Sequence, residues 1–187
     1  MTSYEIVVMA ALGLGLVVFA TLYLRDRLRH SHALQTSPTR VLFPFVGRAV
    51  SRRALDAALR IARADGATLM PVFLLRVPMH MPLDSAMPRQ CGIGMPLLET
   101  IEQRAVAFGV PVDARVERGR SVRHALRQAI AHERFDRLVV AAAGARDEGF
   151  RTDDIGWLLE HAPGEVVVVR PVGDDRLSAR RRLARAA

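Results

Sequence analysis

Five short apolar runs, separated by segments of helical periodicity, constrain this chain more than any other feature. Val41 to Val46 is the first, and it is continuous rather than alternating, as a strand buried on both faces requires. Ser51 to Ala64 then places Ala54, Leu55, Ala58, Leu59, Ile61 and Ala62 at helical spacing, and Gly66 stands just past its end. Thr68 to Leu75 is the second strand. A Pro- and Met-containing connection fills 76–92, and Pro96 to Phe108 reads as the second helix, followed by Gly109. Val110 to Val116 alternates apolar and polar, as an edge strand does. Gly119 marks a turn, and Ser121 is placed to cap a helix reaching about His132. Leu138 to Ala143 is the fourth run, Asp153 to His161 a short helix, and Glu165 to Arg170, with four consecutive Val, the fifth strand, stopped by Pro171.

The order β-α-β-α-β-α-β-α-β implies parallel strands joined by right-handed helical crossovers. It predicts an α/β domain over 39–171, a five-stranded parallel doubly wound (Rossmann-like) sheet with helices on both faces. With 50% hydrophobic and 25% charged residues, the chain is neither disordered nor collagen-like. Its one cysteine, Cys91, allows no intrachain disulfide, which suits a reducing compartment.

Ahead of this domain, Ile6 to Leu24 contains no charge. Those 19 residues would make a helix of about 28 Å, close to the ~30 Å hydrocarbon core of a bilayer. Tyr4 and Tyr23 fall near the two interfaces, and Arg25, Arg27 and Arg29 follow at once. A cleaved signal peptide would carry a positive n-region, whereas this one has Glu5 and no Arg. Residues 1–24 are therefore expected to be a single-pass transmembrane anchor and 25–38 a juxtamembrane linker. The Arg cluster puts the C-terminal side in the cytoplasm, and the reading is of a bacterial inner membrane.

The net charge is +8, and all 27 basic residues are Arg. Residues 39–170 hold 19 Arg against 15 acids, so the domain is only mildly basic. The remainder of the excess follows the apolar segment or lies in the tail, 172–187, which reads as disordered and contains Arg180, Arg181, Arg182 and Arg185. That distribution fits anionic lipid better than a nucleic-acid groove, and no aromatics interleave with the Arg to stack bases. No nucleic-acid partner is expected.

Four stretches of the domain resemble the universal stress protein family. They are Val41-Leu42-Phe43-Pro44-Phe45 with Ser51-Arg52-Arg53-Ala54-Leu55, then Arg118-Gly119-Arg120, then Phe135-Asp136-Arg137-Leu138-Val139-Val140, and finally His161-Ala162-Pro163-Gly164 with Val166 to Val169, Arg170 and Pro171. The resemblance spans 40–171 in the right order. It implies a five-stranded parallel sheet, dimerisation through the last strand, and in many members ATP binding with little catalysis.

Such a sheet binds ligands outside the carboxyl ends of its strands where the strand order reverses. Here that is Phe45, Val46 and Gly47 after the first strand, and the loop from Ala141 to Trp157 after the fourth. The ATP-binding branch of the family carries an Asp at the end of the first strand, where this chain has Val46. It also carries Gly-x-x-Gly, nine residues, then Gly and a Ser or Thr. Ala141 occupies the first Gly position and Gly144 the second, with Ala145 and Arg146 following. Gly156 occupies the third after eleven intervening residues rather than nine, and Trp157 the hydroxyl position. The six residues from Gly149 to Gly156 keep the family's spacing, so two extra residues lie between Gly144 and Gly149.

Each departure removes something phosphate needs. Val46 accepts no hydrogen bond, Ala141 adds a Cβ, and Trp157 replaces a small hydroxyl. Asp147, Glu148, Asp153 and Asp154 add negative charge that Arg146 and Arg151 only partly offset. The expectation is a membrane-tethered regulatory or interaction domain of universal stress protein type, without ATP bound in the usual way. The alternative is an ATP-binding stress sensor with slow or no hydrolysis. Neither reading needs a catalytic residue or a metal. The expected partners are a second copy of the chain through its last strand, membrane lipid through the anchor and basic tail, and a membrane transporter.

Other clusters read as structural. Met79, His80, Met81, Met87, Cys91 and Met95 would suit Cu(I) by chemistry but lack a tight ligand spacing, so they are expected to cover the sheet or a partner. Arg120, Arg123 and Arg127 are expected on a solvated helix face, and His124 and His132 on a helix surface or interface.

Overall fold

A computed structural model describes residues 39–143, 149–171 and 175–178. The proposed anchor (1–24), the linker (25–38) and the tail arginines lie outside the described residues. Among the described residues, no helix is long and apolar enough to cross a membrane.

The central strand β1 (Arg40–Phe45) is buried along nearly its whole length, as its unbroken apolar run predicts. Its successive side chains serve two cores. Val41, Phe43 and Phe45 face one side, where α1 (Arg52–Asp65) buries Ala54, Leu55, Ala58, Leu59 and Ala62, and α2 (Pro88–Phe108) buries Leu97, Leu98, Ile101 and Ala105. Leu42 faces the other side, where α3 (Val122–His132) contributes Ala125, Leu126 and Ala129, and α4 (Thr152–His161) contributes Leu158. Two-sided burial is the reason for the doubly wound arrangement: neither face of the sheet could be left to water.

The remaining strands of the main sheet are β3 (Thr68–Arg76), β4 (Arg115–Gly119), β5 (Arg137–Ala141) and β6 (Glu165–Val169). The spatial order is β4-β3-β1-β5-β6, and every pairing is parallel. The chain therefore runs outward in one direction from β1 through β3 to β4, then returns and runs the other way through β5 to β6. The reversal lies between β1 and β5. The expected five-stranded parallel sheet is thus present, with β4 at an edge as its alternating pattern indicates.

Two prolines mark where ladders lapse. The β1–β3 register continues from Arg40↔Thr68 to Phe45↔Phe73. The β1–β5 register holds only Val41↔Arg137 and Leu42↔Leu138, and stops two residues before Pro44. Pro71 of β3 falls between the isolated Leu69↔Val112 bridge and the start of the β3–β4 register at Val72↔Arg115. A proline has no N–H to donate, so each sits where a ladder bond is missing.

The helix ends follow their cap residues. Ser51 accepts from the Ala54 amide at 3.2 Å, and Ser121 accepts from His124 at 3.1 Å. Gly66 and Gly109 close α1 and α2 in the left-handed conformation.

Three boundaries differ from the sequence expectation. The second helix begins at Pro88 rather than Pro96, because Pro88 is tolerated in its first turn and Gln90 ties that turn to β3. The Gln90 amide donates to the Arg76 carbonyl at 2.8 Å and accepts from the Arg76 amide at 3.2 Å. The third sheet strand starts at Arg115 rather than Val110, since Pro111 offers only its carbonyl, which accepts from Leu69 at 2.9 Å. Finally, Arg176–Leu177, expected within a disordered tail, form strand β7, which pairs antiparallel with β2 (Val50–Ser51).

Candidate functional site

The crevice forms at the carboxyl ends of β1 and β5, the location the strand order selects. Phe45 borders it with its backbone, but its side chain is 5% exposed and its ring lies 5.4 Å from that of Phe73 in the α1–α2 core. Val46 turns the other way and packs, half-buried, against the α3–α4 core. Gly47 follows with φ +82, a left-handed turn that a side chain would strain.

On the β5 side, the loop is tied back onto its own strand. The Ala143 amide donates to the Phe150 carbonyl at 2.7 Å, and the Phe150 amide donates to the Ala141 carbonyl at 2.9 Å. The Phe150 side chain is buried in the α3–α4 core. Ala142 donates to the Val169 carbonyl at 2.9 Å, which prolongs the β5–β6 ladder by one residue. Gly149 adopts φ +114 directly over the Ala141 and Ala142 carbonyls.

The structure brings Phe45, Val46, Gly47 and Ala141 to the ends of two neighbouring strands. Gly144, Ala145 and Arg146 lie outside the described residues. Gly156 and Trp157 are not loop residues; they lie inside α4, past its first turn. Gly156 is exposed, and a Cβ there would meet nothing within 4 Å. The Trp157 ring stacks on His161 at 4.8 Å and receives the Arg127 guanidinium at 5.7 Å.

Two helix N-termini near the carboxyl ends of the strands could have offered N–H groups to an anion. Both carry the chain's own carboxylates. The first turn of α4 holds Asp153 and Asp154, and Asp154 also accepts from the Arg123 guanidinium at 3.0 Å. At α1, the Asp175 carboxylate accepts from the Arg53 amide at 3.2 Å, and the Ser51 hydroxyl donates to it at 2.7 Å. In chemical terms the helix dipoles at this end of the sheet are already complemented by carboxylates.

The sequence reading missed Phe150 and Asp175. A single Phe in an otherwise polar loop was the available signal for the first. For the second it was an acidic pair, Asp174 and Asp175, in a segment otherwise rich in Arg.

The other clusters are distributed as follows. Arg120 lies before α3 and donates to the Pro78 and Met81 carbonyls at 2.5 and 2.6 Å, holding the long connection. Arg123 pairs with Asp154, and Arg127 covers Trp157, so the three do not form the single solvated face expected of them. His124 accepts from the Arg120 amide at 3.1 Å, and His132 stands 3.7 Å from Glu117. Met81, Met87 and Cys91 pack on the α1–α2 core, while Met79 is 80% exposed. Among the described residues, no group of three or more His, Cys, Asp or Glu is placed to hold a metal.

Neither a family model nor a curated protein matches the chain. Solved structures do. A universal stress protein family member from Burkholderia pseudomallei aligns with a TM-score of 0.52 at 21% identity, covering 70% of this chain and 95% of its own. A universal stress protein in complex with cAMP aligns with a TM-score of 0.51 at 20% identity, covering 73% and 100%. A family member from Arabidopsis thaliana with AMP bound aligns with a TM-score of 0.51 at 17% identity, covering 73% and 94%. The chain has the universal stress protein fold.

Proposed function

We propose that this protein is a membrane-tethered regulatory or interaction domain of universal stress protein type that does not hold ATP in the family's usual way. One observation carries the reading: the elements that would grip phosphate are occupied by the chain itself. Asp153 and Asp154 stand in the first turn of α4, and Gly156 and Trp157 are absorbed into that helix. Val46 packs into a core where the resemblance implies a nucleotide-binding Asp. No catalytic step belongs to this reading.

The tether is residues 1–24, with the domain on the cytoplasmic face of a bacterial inner membrane and the basic tail against anionic lipid. Homodimerisation through β6 is supported by its place at a sheet edge and by Val168, which is 40% exposed there. A tethered dimer would serve a membrane partner such as a transporter.

A second reading, an adenine-nucleotide sensor with slow or no hydrolysis, is favoured by the two structural neighbours holding cAMP and AMP. Equilibrium titration of the full chain with Mg-ATP separates the two. Absence of binding at millimolar ATP supports the interaction domain. Micromolar binding at one site per chain replaces it with the sensor.

A further inference from the structure

Strand β4 ends one side of the main sheet, and among the described residues β3 is its only neighbour. The Val77 amide donates to the Gly119 carbonyl at 2.8 Å, so the backbone of Gly119 faces β3. Main-chain groups of successive strand residues point to opposite sides. Arg115 and Glu117 therefore share the direction of Gly119, and the N–H and C=O groups of Val116 and Arg118 point out of the sheet. They have no backbone partner among the described residues. Such an edge is a template for another extended chain.

This edge is walled. An open groove of about 370 Å³ lies against it, lined by Leu83, Val116, Glu117, Arg118, Gln128 and His132. The connection between β3 and α2 supplies Leu83 on one side, and α3 supplies Gln128 and His132 on the other. Successive β4 side chains turn to the two walls. Glu117 stands 3.7 Å from His132, whereas the Arg118 guanidinium donates at 3.2 Å to Asp84, through the carbonyl and not the carboxylate. Val116 shares the Arg118 side, and Val116 and Leu83 are 38% and 40% exposed. That side therefore presents apolar surface next to a cation, and among the described residues no carboxylate pairs with Arg118. The α3 side already sets His132 beside Glu117 and suits polar side chains.

A second copy of the chain does not match this pattern. Antiparallel pairing of two β4 edges, with outward residues aligned, puts Ala114, Val116 or Arg118 of the second copy opposite Arg118, according to register. None of them is a carboxylate. We propose that the β4 edge receives an extended segment of a partner protein carrying an apolar side chain and a carboxylate two residues apart. The segment adds a sixth strand to the sheet, with its apolar side chain on Val116 and Leu83 and its carboxylate on Arg118. The proposal deepens the interaction-domain reading and rests on it, naming the surface and the chemistry of what docks there.

The probe is the end-blocked peptide Thr-Val-Thr-Glu-Thr-Val-Thr, which satisfies the pattern in either strand direction, compared with the same peptide carrying Lys in place of Glu. Each is titrated into the full chain. Amide hydrogen exchange at Val116 and Arg118 reports the edge, and exchange at Val41 and Leu42 reports the fold. The Glu peptide should bind about fivefold more tightly than the Lys peptide and slow exchange at Val116 and Arg118. Arg118→Glu should reverse the preference. Val116→Pro removes an outward N–H and no ladder bond to β3, and it should abolish the protection gained at Arg118. No binding at millimolar peptide, equal affinity for the two peptides, a preference that survives Arg118→Glu, or protection gained at β6 instead overturns the proposal. Protection of Val116 and Arg118 that rises with protein concentration in the absence of peptide also overturns it, since the edge would then join two copies. If Val116→Pro loses protection in β1, Arg118→Glu decides alone. The interaction-domain reading fails separately, by micromolar Mg-ATP binding; failure of the peptide with ATP unbound removes this surface and leaves that reading standing.

Discussion

Gly149 lies so close over Ala141 that a Cβ on it would stand 2.8 Å from the Ala141 carbonyl oxygen. That same oxygen accepts from the Phe150 amide, so the approach and the hydrogen bond fix the returning loop together. Gly149→Ala must relieve both the contact and a φ of +114. The expected loss is about 1–3 kcal/mol, read as a lower urea midpoint. An unchanged midpoint would mean the loop is not fastened at this point.

A second close approach sets the height of α2 above the sheet. A Cβ on Gly94 would lie 2.2 Å from the Phe73 ring, and Phe73 is itself 4% exposed. Gly94→Ala should destabilise by about 1–3 kcal/mol through overpacking. Combined with Phe73→Leu, which makes room, the two changes should be less damaging than their sum. Strict additivity in a double-mutant cycle would refute the contact.

Trp157→Ser installs the hydroxyl that the family motif carries at this position. Because residue 157 lies within α4, the change should remove the stack on His161 and the Arg127 contact without creating a phosphate site. Stability is expected to fall by roughly 1–3 kcal/mol from lost apolar burial, and Mg-ATP affinity should not rise. A gain of ATP binding in this variant would show that α4 unwinds to present residue 157 as a loop.

The proposed membrane tether is open to a direct test. Full-length protein should stay with membranes through alkaline carbonate extraction, whereas residues 39–187 expressed alone should not. Release of the intact full-length chain by carbonate would eliminate the anchor.

Most of the sheet was legible because strands buried on both faces must be apolar throughout, and β1, β3 and β5 coincide with such runs, while β6 shows the same apolar run at a half-exposed edge. The start of α2 was hidden by Gly92, Gly94 and Pro96, three residues that disfavour helix interiors. Tertiary contact overrides them: Gly94 admits the Phe73 ring, and Gln90 ties the first turn to Arg76 of β3. The location of the crevice was readable from connectivity alone. The bonding of Asp175 to the start of α1 was not, because an acid in a basic tail acquires meaning only when the chain returns to Ser51 and Arg53, 124 and 122 residues earlier.

Pro44 bears on how such a domain can change. The gap between β1 and β5 coincides with a residue that cannot donate a ladder bond, so the opening is written into the strand itself. Replacing the residues around the rim alters what fits there and leaves the opening in place. What the rim accepts can therefore change without rebuilding the sheet. Pro44→Val tests that independence: if the β1–β5 ladder then extends toward Phe45, the crevice was a property of one imino acid.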